Sequence, residues 1–230
     1  MSIERVADDL LVIRGLVNVY ILRTNDGLAV LDTGFPGSVP KILDGVRAIG
    51  GRPADVRHIL VTHAHPDHIG NVAALKRETG AMVWAHPVDA PILEAGTGFR
   101  PVHASPGLVN RLLTRFVMGR IKSVEPVHVD RLLEGGGLPS FLPDLEAIHV
   151  PGHCAGQIAF HWRRHGGVLF TADTCINMRG PKLPPACEDV AQAQRSLERL
   201  KQLDFRIICF GHGRPVLTGG DTLLRATSFL

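Results

Sequence analysis

The chain has 230 residues, 45% hydrophobic and 20% charged, with 25 Lys and Arg against 22 Asp and Glu for a formal net charge of +3. That balance excludes a disordered chain and gives enough length for a full core without covalent staples. No apolar run approaches the roughly 20 residues of a membrane helix, no Lys/Arg block interleaved with aromatics suits a nucleic-acid backbone, and the acidic start does not read as a secretion signal. The expectation is a cytoplasmic protein with no membrane or nucleic-acid partner.

In chain order, residues 17–22 and 28–31 alternate around Asn25-Asp26-Gly27 and predict a hairpin ending at Asp32-Thr33-Gly34. Val39, Ile42, Leu43, Val46 and Ile49 fall at helical spacing before Gly50-Gly51, a first surface helix with its stop. A short strand at 59–61, a helix over about 69–78 and a strand at 81–85 then follow within 30 residues, the spacing of a crossover unit. From 87 to about 138 Pro and Gly become frequent, while Leu108, Leu112, Leu113, Phe116 and Val117 recur at helical spacing; the reading is a mostly helical insertion. Strands return at 145–150, 158–162 and 168–171, then a helix over 189–203, a strand over 206–210 and a closing helix over about 220–229. Hairpins and crossovers alternate in two comparable halves without a linker, which predicts one α/β domain over 1–230, two sheets sandwiched between outer helices.

Among the 12 histidines, three stand in His63-Ala64-His65-Pro66-Asp67-His68, directly after an apolar strand. Residues two apart in an extended segment point the same way, so His63 and His65 can converge on one ion. Asp67 and His68, beyond the bend at Pro66, can serve a second. Three further polar residues stand where apolar runs stop, each beside glycine or a turn: His153, Asp173 and His212. Imidazole and carboxylate ligands without thiolates suit zinc, manganese or iron.

These motifs resemble the metallo-β-lactamase superfamily, whose signature is H-x-H-x-D-H followed by a His, an Asp and a His in that order. The resemblance runs from Asp32-Thr33-Gly34 to Phe210-Gly211-His212-Gly213. It implies a four-layered αββα sandwich with His63, His65 and His153 on one metal ion, Asp67, His68 and His212 on a second, and Asp173 bridging them. Two divalent ions are then the cofactors, zinc by preference with manganese or iron as alternatives. The reaction implied is hydrolysis of an ester-like bond in a small-molecule substrate (a thioester, lactone or related acyl compound) by water activated between the two ions. Asp67 would also orient that water, and Asp32 would hold a ligand histidine by its free ring nitrogen. The alternatives are a mononuclear-iron oxidoreductase of the persulfide dioxygenase type and a phosphodiesterase.

The chain departs from the close families within that resemblance. Glyoxalase II-like thioesterases read G-H-T-x-G-H where this chain has Gly152-His153-Cys154-Ala155-Gly156-Gln157, and 18 residues follow His212 where those enzymes carry a helical extension. Quorum-quenching lactonases place a Tyr three residues after the bridging Asp; Ile176 stands there. Phe99, Phe116 and Met118 of the insertion are candidates to meet an acyl chain, His86 to line the mouth, and Arg179 and Lys182 to greet an anion. The four cysteines, Cys154, Cys175, Cys187 and Cys209, form no C-x-x-C pair and read as reduced thiols, with Cys154 and Cys175 as small packing residues.

Overall fold

The computed structural model describes residues 1–116, 122–136 and 140–228. Strands β1 (Ser2–Ala7), β2 (Leu10–Arg14), β3 (Val19–Arg23) and β4 (Leu28–Leu31) form an antiparallel meander. Helix α1 (Val39–Ala48) crosses over to β5 (Val56–Leu60), parallel to β4. The short α2 (Pro66–Ile69) and then α3 (Val72–Thr79) lead to β6 (Met82–Ala85), parallel to β5. After α4 (Ala90–Ala95), β7 (His103–Ala104) and α5 (Leu108–Phe116), β8 (Arg131–Leu132) completes a seven-stranded sheet in the order β1-β2-β3-β4-β5-β6-β8.

The second half supplies β9 (Leu145–His149), β10 (Ile158–Trp162), β11 (Val168–Phe170), the two-residue strands β12 (Ile176–Asn177), β13 (Pro181–Lys182) and β14 (Ala186–Cys187), α6 (Val190–Leu200), β15 (Ile207–Cys209) and α7 (Gly220–Ala226). Its main sheet runs β15-β11-β10-β9, antiparallel except for the parallel pair β11 and β15. No helix among the described residues is long and apolar enough to cross a membrane.

Side-chain alternation sorts these strands into layers. Leu11, Ile13, Val19, Ile21, Leu28 and Val30 point from the large sheet into a cluster with Ile42 and Val46 of α1 and Leu75 of α3. Their sequence neighbours Leu10, Val12, Tyr20, Leu22, Ala29 and Leu31 point the other way and meet Phe160, Trp162, Phe170 and Cys209 of the small sheet. Ala159, Leu169 and Ile208 emerge on its far face under Leu197 of α6 and Leu224 of α7. Three apolar interfaces separate four layers, and the architecture is the αββα sandwich of the metallo-β-lactamase fold, as each strand with period two requires when both its faces are covered.

Two strands escape the sequence pattern for that reason. β2 is apolar at four consecutive positions because both faces are buried, and β1 is a largely exposed edge strand. The helix expected over 69–78 begins instead at Val72, since Gly70 packs against Pro36 and Gly34 and the buried Asn71 side chain is bonded into the loop after β4. Asn71 Oδ1 accepts the backbone N–H of Gly37 and Ser38, and its Nδ2 donates to Thr33 and Phe35 carbonyls. Within 87–136, α4 and α5 are the helices among the described residues; the rest is irregular, because Pro and Gly interrupt the helical spacing. Val117, Met118 and positions 137–138 of the expected insertion, and Phe229 of the expected closing helix, lie outside the described residues. Pairing of β7 with β14 ties the insertion to the second half.

Candidate metal centre

Strands β4, β5 and β6 are parallel to one another, as are β9, β11 and β15 across the small sheet. The loops that follow β5, β9, β11 and β15 carry His63 and His65, His153, Asp173, and His212, respectively. His65 is still extended (φ −88°, ψ 145°) and serves as N-cap of α2, so Pro66 opens the helix and Asp67 and His68 lie in its only turn.

All seven predicted ligands come together. His65 Nδ1 lies 3.2 Å from His63 Nε2 and 2.9 Å from His153 Nε2. Asp173 Oδ2 is 3.6 Å from His153 Nε2 and 3.0 Å from His212 Nε2, while Asp173 Oδ1 is 3.7 Å from His68 Nε2. His68 Nε2 and His212 Nε2 are 3.4 Å apart, and Asp67 Oδ2 is 3.6 Å from His212 Nε2. Ligands held at about 2.0–2.1 Å around a tetrahedral ion sit roughly 3.3 Å from one another. The observed separations are of that size, and they divide into one group around His63, His65 and His153 and another around Asp67, His68 and His212, with Asp173 between.

The ring nitrogens that face away from this cluster are occupied. His68 Nδ1 donates to Asp32 Oδ2 at 2.8 Å, and the same carboxylate accepts the Thr62 hydroxyl at 2.7 Å and the Thr62 N–H at 2.8 Å. The Thr62 oxygen lies 3.0 Å from His63 Nδ1. His153 Nδ1 reaches the Ala186 carbonyl at 2.8 Å and His212 Nδ1 the Leu16 carbonyl at 2.7 Å. These contacts occupy Nδ1 of His63, His68, His153 and His212 and turn Nε2 of each toward the centre, where it can offer a lone pair once it carries no proton. Asn18 Nδ2 donates to the carbonyls of Phe210 and Gly213 and so holds the turn that carries His212.

Electrostatics separate the two groups. Burial drives His63 and His65 well below the ordinary histidine range, and neighbouring imidazoles add to it; His153 is lowered too, first by burial. Burial acts in the same direction on His68, yet Asp173, Asp32 and Asp67 outweigh it and raise its pKa well above the usual value. His212 is raised by Asp173 against its own burial. Asp173 is held well below the carboxylate range, because His212 and His68 more than offset the effect of burying it. Its Oδ1 is buried with no hydrogen-bond partner among the described residues. A buried carboxylate oxygen costs free energy unless a proton donor or cation meets it. The donor set, the spacing and this orphaned oxygen all fit divalent ions.

The other sequence candidates are dispersed. Asp32 holds His68 by its Nδ1. Cys154 does more than pack: its Sγ lies 3.2 Å from His65 Nε2, the ring nitrogen opposite the cluster. His86 is 6% exposed and stacks on His149, with centroids 4.2 Å apart. Phe99 packs against the helix-side core, Arg179 and Lys182 are exposed, and Met118 and the Phe116 side chain lie outside the described residues. Sequence reasoning passed over Thr62, Asn18, Asp89, Arg100 and Glu188. Only Thr62 carried a signal, as the residue between the strand and the first ligand.

A family model described as the metallo-beta-lactamase superfamily matches residues 12–212. The probable metallo-hydrolase YflN of Bacillus subtilis (strain 168) is 27% identical over 220 residues, covering 87% of this chain and 82% of that protein. A hydroxyacylglutathione hydrolase of Jannaschia sp. (strain CCS1) is 30% identical over 166 residues, 72% of this chain but about half, 51%, of that enzyme. Among solved structures, the Rm3 metallo-beta-lactamase superposes with a TM-score of 0.72 at 26% identity, over 92% of this chain and 78% of that one.

Proposed function

This chain belongs to the metallo-beta-lactamase superfamily, and from that premise we propose that it is a metallo-hydrolase with two metal positions that cleaves an ester-like bond (thioester, lactone or related acyl substrate). The observation that carries this reading is Asp173: a buried carboxylate with an orphaned oxygen, set between two groups of three ligands. His63, His65 and His153 would hold one ion, and Asp67, His68 and His212 the other, with Asp173 between. Zinc suits this all-imidazole and carboxylate set. Such ions, when bound, supply hydroxide at neutral pH and polarise the acyl oxygen.

The remaining chemistry belongs to the chain. Asp67 and His212 are the partly exposed members, at 26% and 17% of their side chains, so substrate approaches from their side. Asp67 accepts a hydrogen bond from the attacking hydroxide and orients it toward the acyl carbon. Asp32, through His68 directly and through Thr62 to His63, keeps one ligand of each group in register, the preorganisation that catalysis rewards. Relatives named hydroxyacylglutathione hydrolase support an acyl thioester as the first substrate to try.

The test is elemental analysis of protein purified without added metal, combined with turnover on thioesters, lactones and phosphodiesters. About two zincs per chain with acyl hydrolysis is the expected result. One iron per chain with oxygen consumption on a persulfide would overturn the hydrolytic reading.

A further inference from the structure

The two loops that carry His63, His65 and His153 are joined behind the cluster by an ion triad whose Asp89 is buried and whose Arg100 and Glu188 are part-exposed. Asp89, at the end of the turn after His86, is fully buried. Its Oδ2 accepts the N–H of Ala64 at 2.8 Å, the residue between His63 and His65. Glu188, just after β14, donates its own N–H to the His153 carbonyl at 3.1 Å, and its Oε2 accepts the N–H of Ala155 at 3.0 Å. One guanidinium reaches both carboxylates: Arg100 Nε binds Glu188 Oε1 at 2.7 Å, Nη2 binds Asp89 Oδ1, and Nη1 donates to the Val88 carbonyl at 3.2 Å. The Cys154 thiol stands between this triad and the cluster, 3.2 Å from His65 Nε2 and hydrogen-bonded toward Glu188.

We propose that Arg100, a residue of the 87–138 insertion, is a positioning residue for the three-histidine group: it bridges Asp89 and Glu188 in place so that they fix Ala64 and Ala155, and thereby His63, His65 and His153. The proposal rests on the two-position reading above. Its physical basis is the cost of an unpaired buried carboxylate. Without Arg100, the buried Asp89 carboxylate would have no cation beside its Oδ1, and it would turn or draw in water to meet that cost, so that its hold on Ala64 N–H is lost. Lysine cannot replace the fork, since a point charge does not span two carboxylates at once. The group around Asp67, His68 and His212 is held instead by Asp32 and the Leu16 carbonyl, which lie outside the triad, so the effect is confined to one position.

The test compares wild type, Arg100→Gln and Asp32→Asn loaded with cobalt(II) and titrated with a chelator, with the bands of the three-histidine position assigned from a His153→Ala variant. Asp32→Asn, whose carboxylate reaches His68 directly and His63 through Thr62 in the wild type, is expected to weaken both positions, whereas in Arg100→Gln the three-histidine position is expected to release its ion at about 10- to 100-fold lower chelator concentration while the other stays near wild type. Equal weakening of both positions, or of neither, overturns the proposal. Should Arg100→Gln fail to fold, Glu188→Gln, which keeps the shape and a carbonyl acceptor, decides it by the same selective release. Wild type holding fewer than two ions would sink the two-position reading itself, and the proposal with it; wild type holding two with Arg100→Gln unchanged sinks the proposal alone.

Discussion

Asp32 Oδ2 lies 2.8 Å from His68 Nδ1, and that same oxygen receives the Thr62 hydroxyl whose oxygen faces His63 Nδ1. One buried carboxylate therefore orients a histidine of each ligand group. Asp32 does so from a left-handed backbone conformation (φ 59°), which Asp and Asn tolerate better than other side chains with a Cβ.

Asp32→Asn should thus fold, because asparagine accepts the same backbone angle. Its amide nitrogen cannot accept the His68 N–H, and the tautomer of His68 is released. Metal affinity at the Asp67 position is expected to fall about 10- to 100-fold, with turnover falling in parallel. Retention of two ions at wild-type affinity would refute this role.

Metal uptake should be linked to proton release at one position only. In the metal-free protein His68 and His212 titrate above the ordinary 6.5 and carry protons near pH 6.5, whereas His63, His65 and His153 titrate below it and are neutral. Binding at the Asp67 position must displace up to two protons, so affinity there falls as pH drops, by as much as about 100-fold per unit. The three-histidine position should depend on pH less than the Asp67 position does above about pH 6.5. Calorimetric titrations in buffers of different ionisation enthalpy would read the proton count, and identical pH slopes for both ions would contradict the assignment.

Gly211→Ala probes the Asp173 carboxylate without replacing any of the seven proposed ligands. A Cβ at Gly211 would sit inside contact distance of Asp173 Oδ1 and 3.1 Å from His68 Cε1. The carboxylate must shift by a fraction of an ångström or more, and turnover is expected to fall at least about 100-fold. The thermal midpoint should move far less than for a core deletion, as melting curves of both proteins would show.

Phe160→Ala gives the complementary result. Phe160 is fully buried between the two sheets, and its truncation should cost about 3–5 kcal/mol through lost burial and the remaining cavity. Denaturant unfolding measures the loss, while metal content per folded molecule should stay that of wild type. A cost below about 1 kcal/mol would mean that the gap between the sheets closes around the hole.

The amino-acid sequence determined by itself the strand periodicity, the crossover units, the family and the seven residues that the fold gathers at the candidate centre. These are readable because each is local: an apolar run of period two, or a polar residue at the place where such a run stops. It determined less where both faces of a strand are buried, as in β2, whose unbroken apolar run lacks alternation, and at Gly70, where packing against Pro36 divides a helix that the spacing draws as one. Only the tertiary structure decided what stands behind the ligands. Asp32 and His68 are 36 residues apart, and Arg100 meets carboxylates 11 and 88 residues away. Such partners leave no periodic trace, because a buried charge is satisfied by whichever element the fold brings against it, and that proximity exists only after the layers have packed.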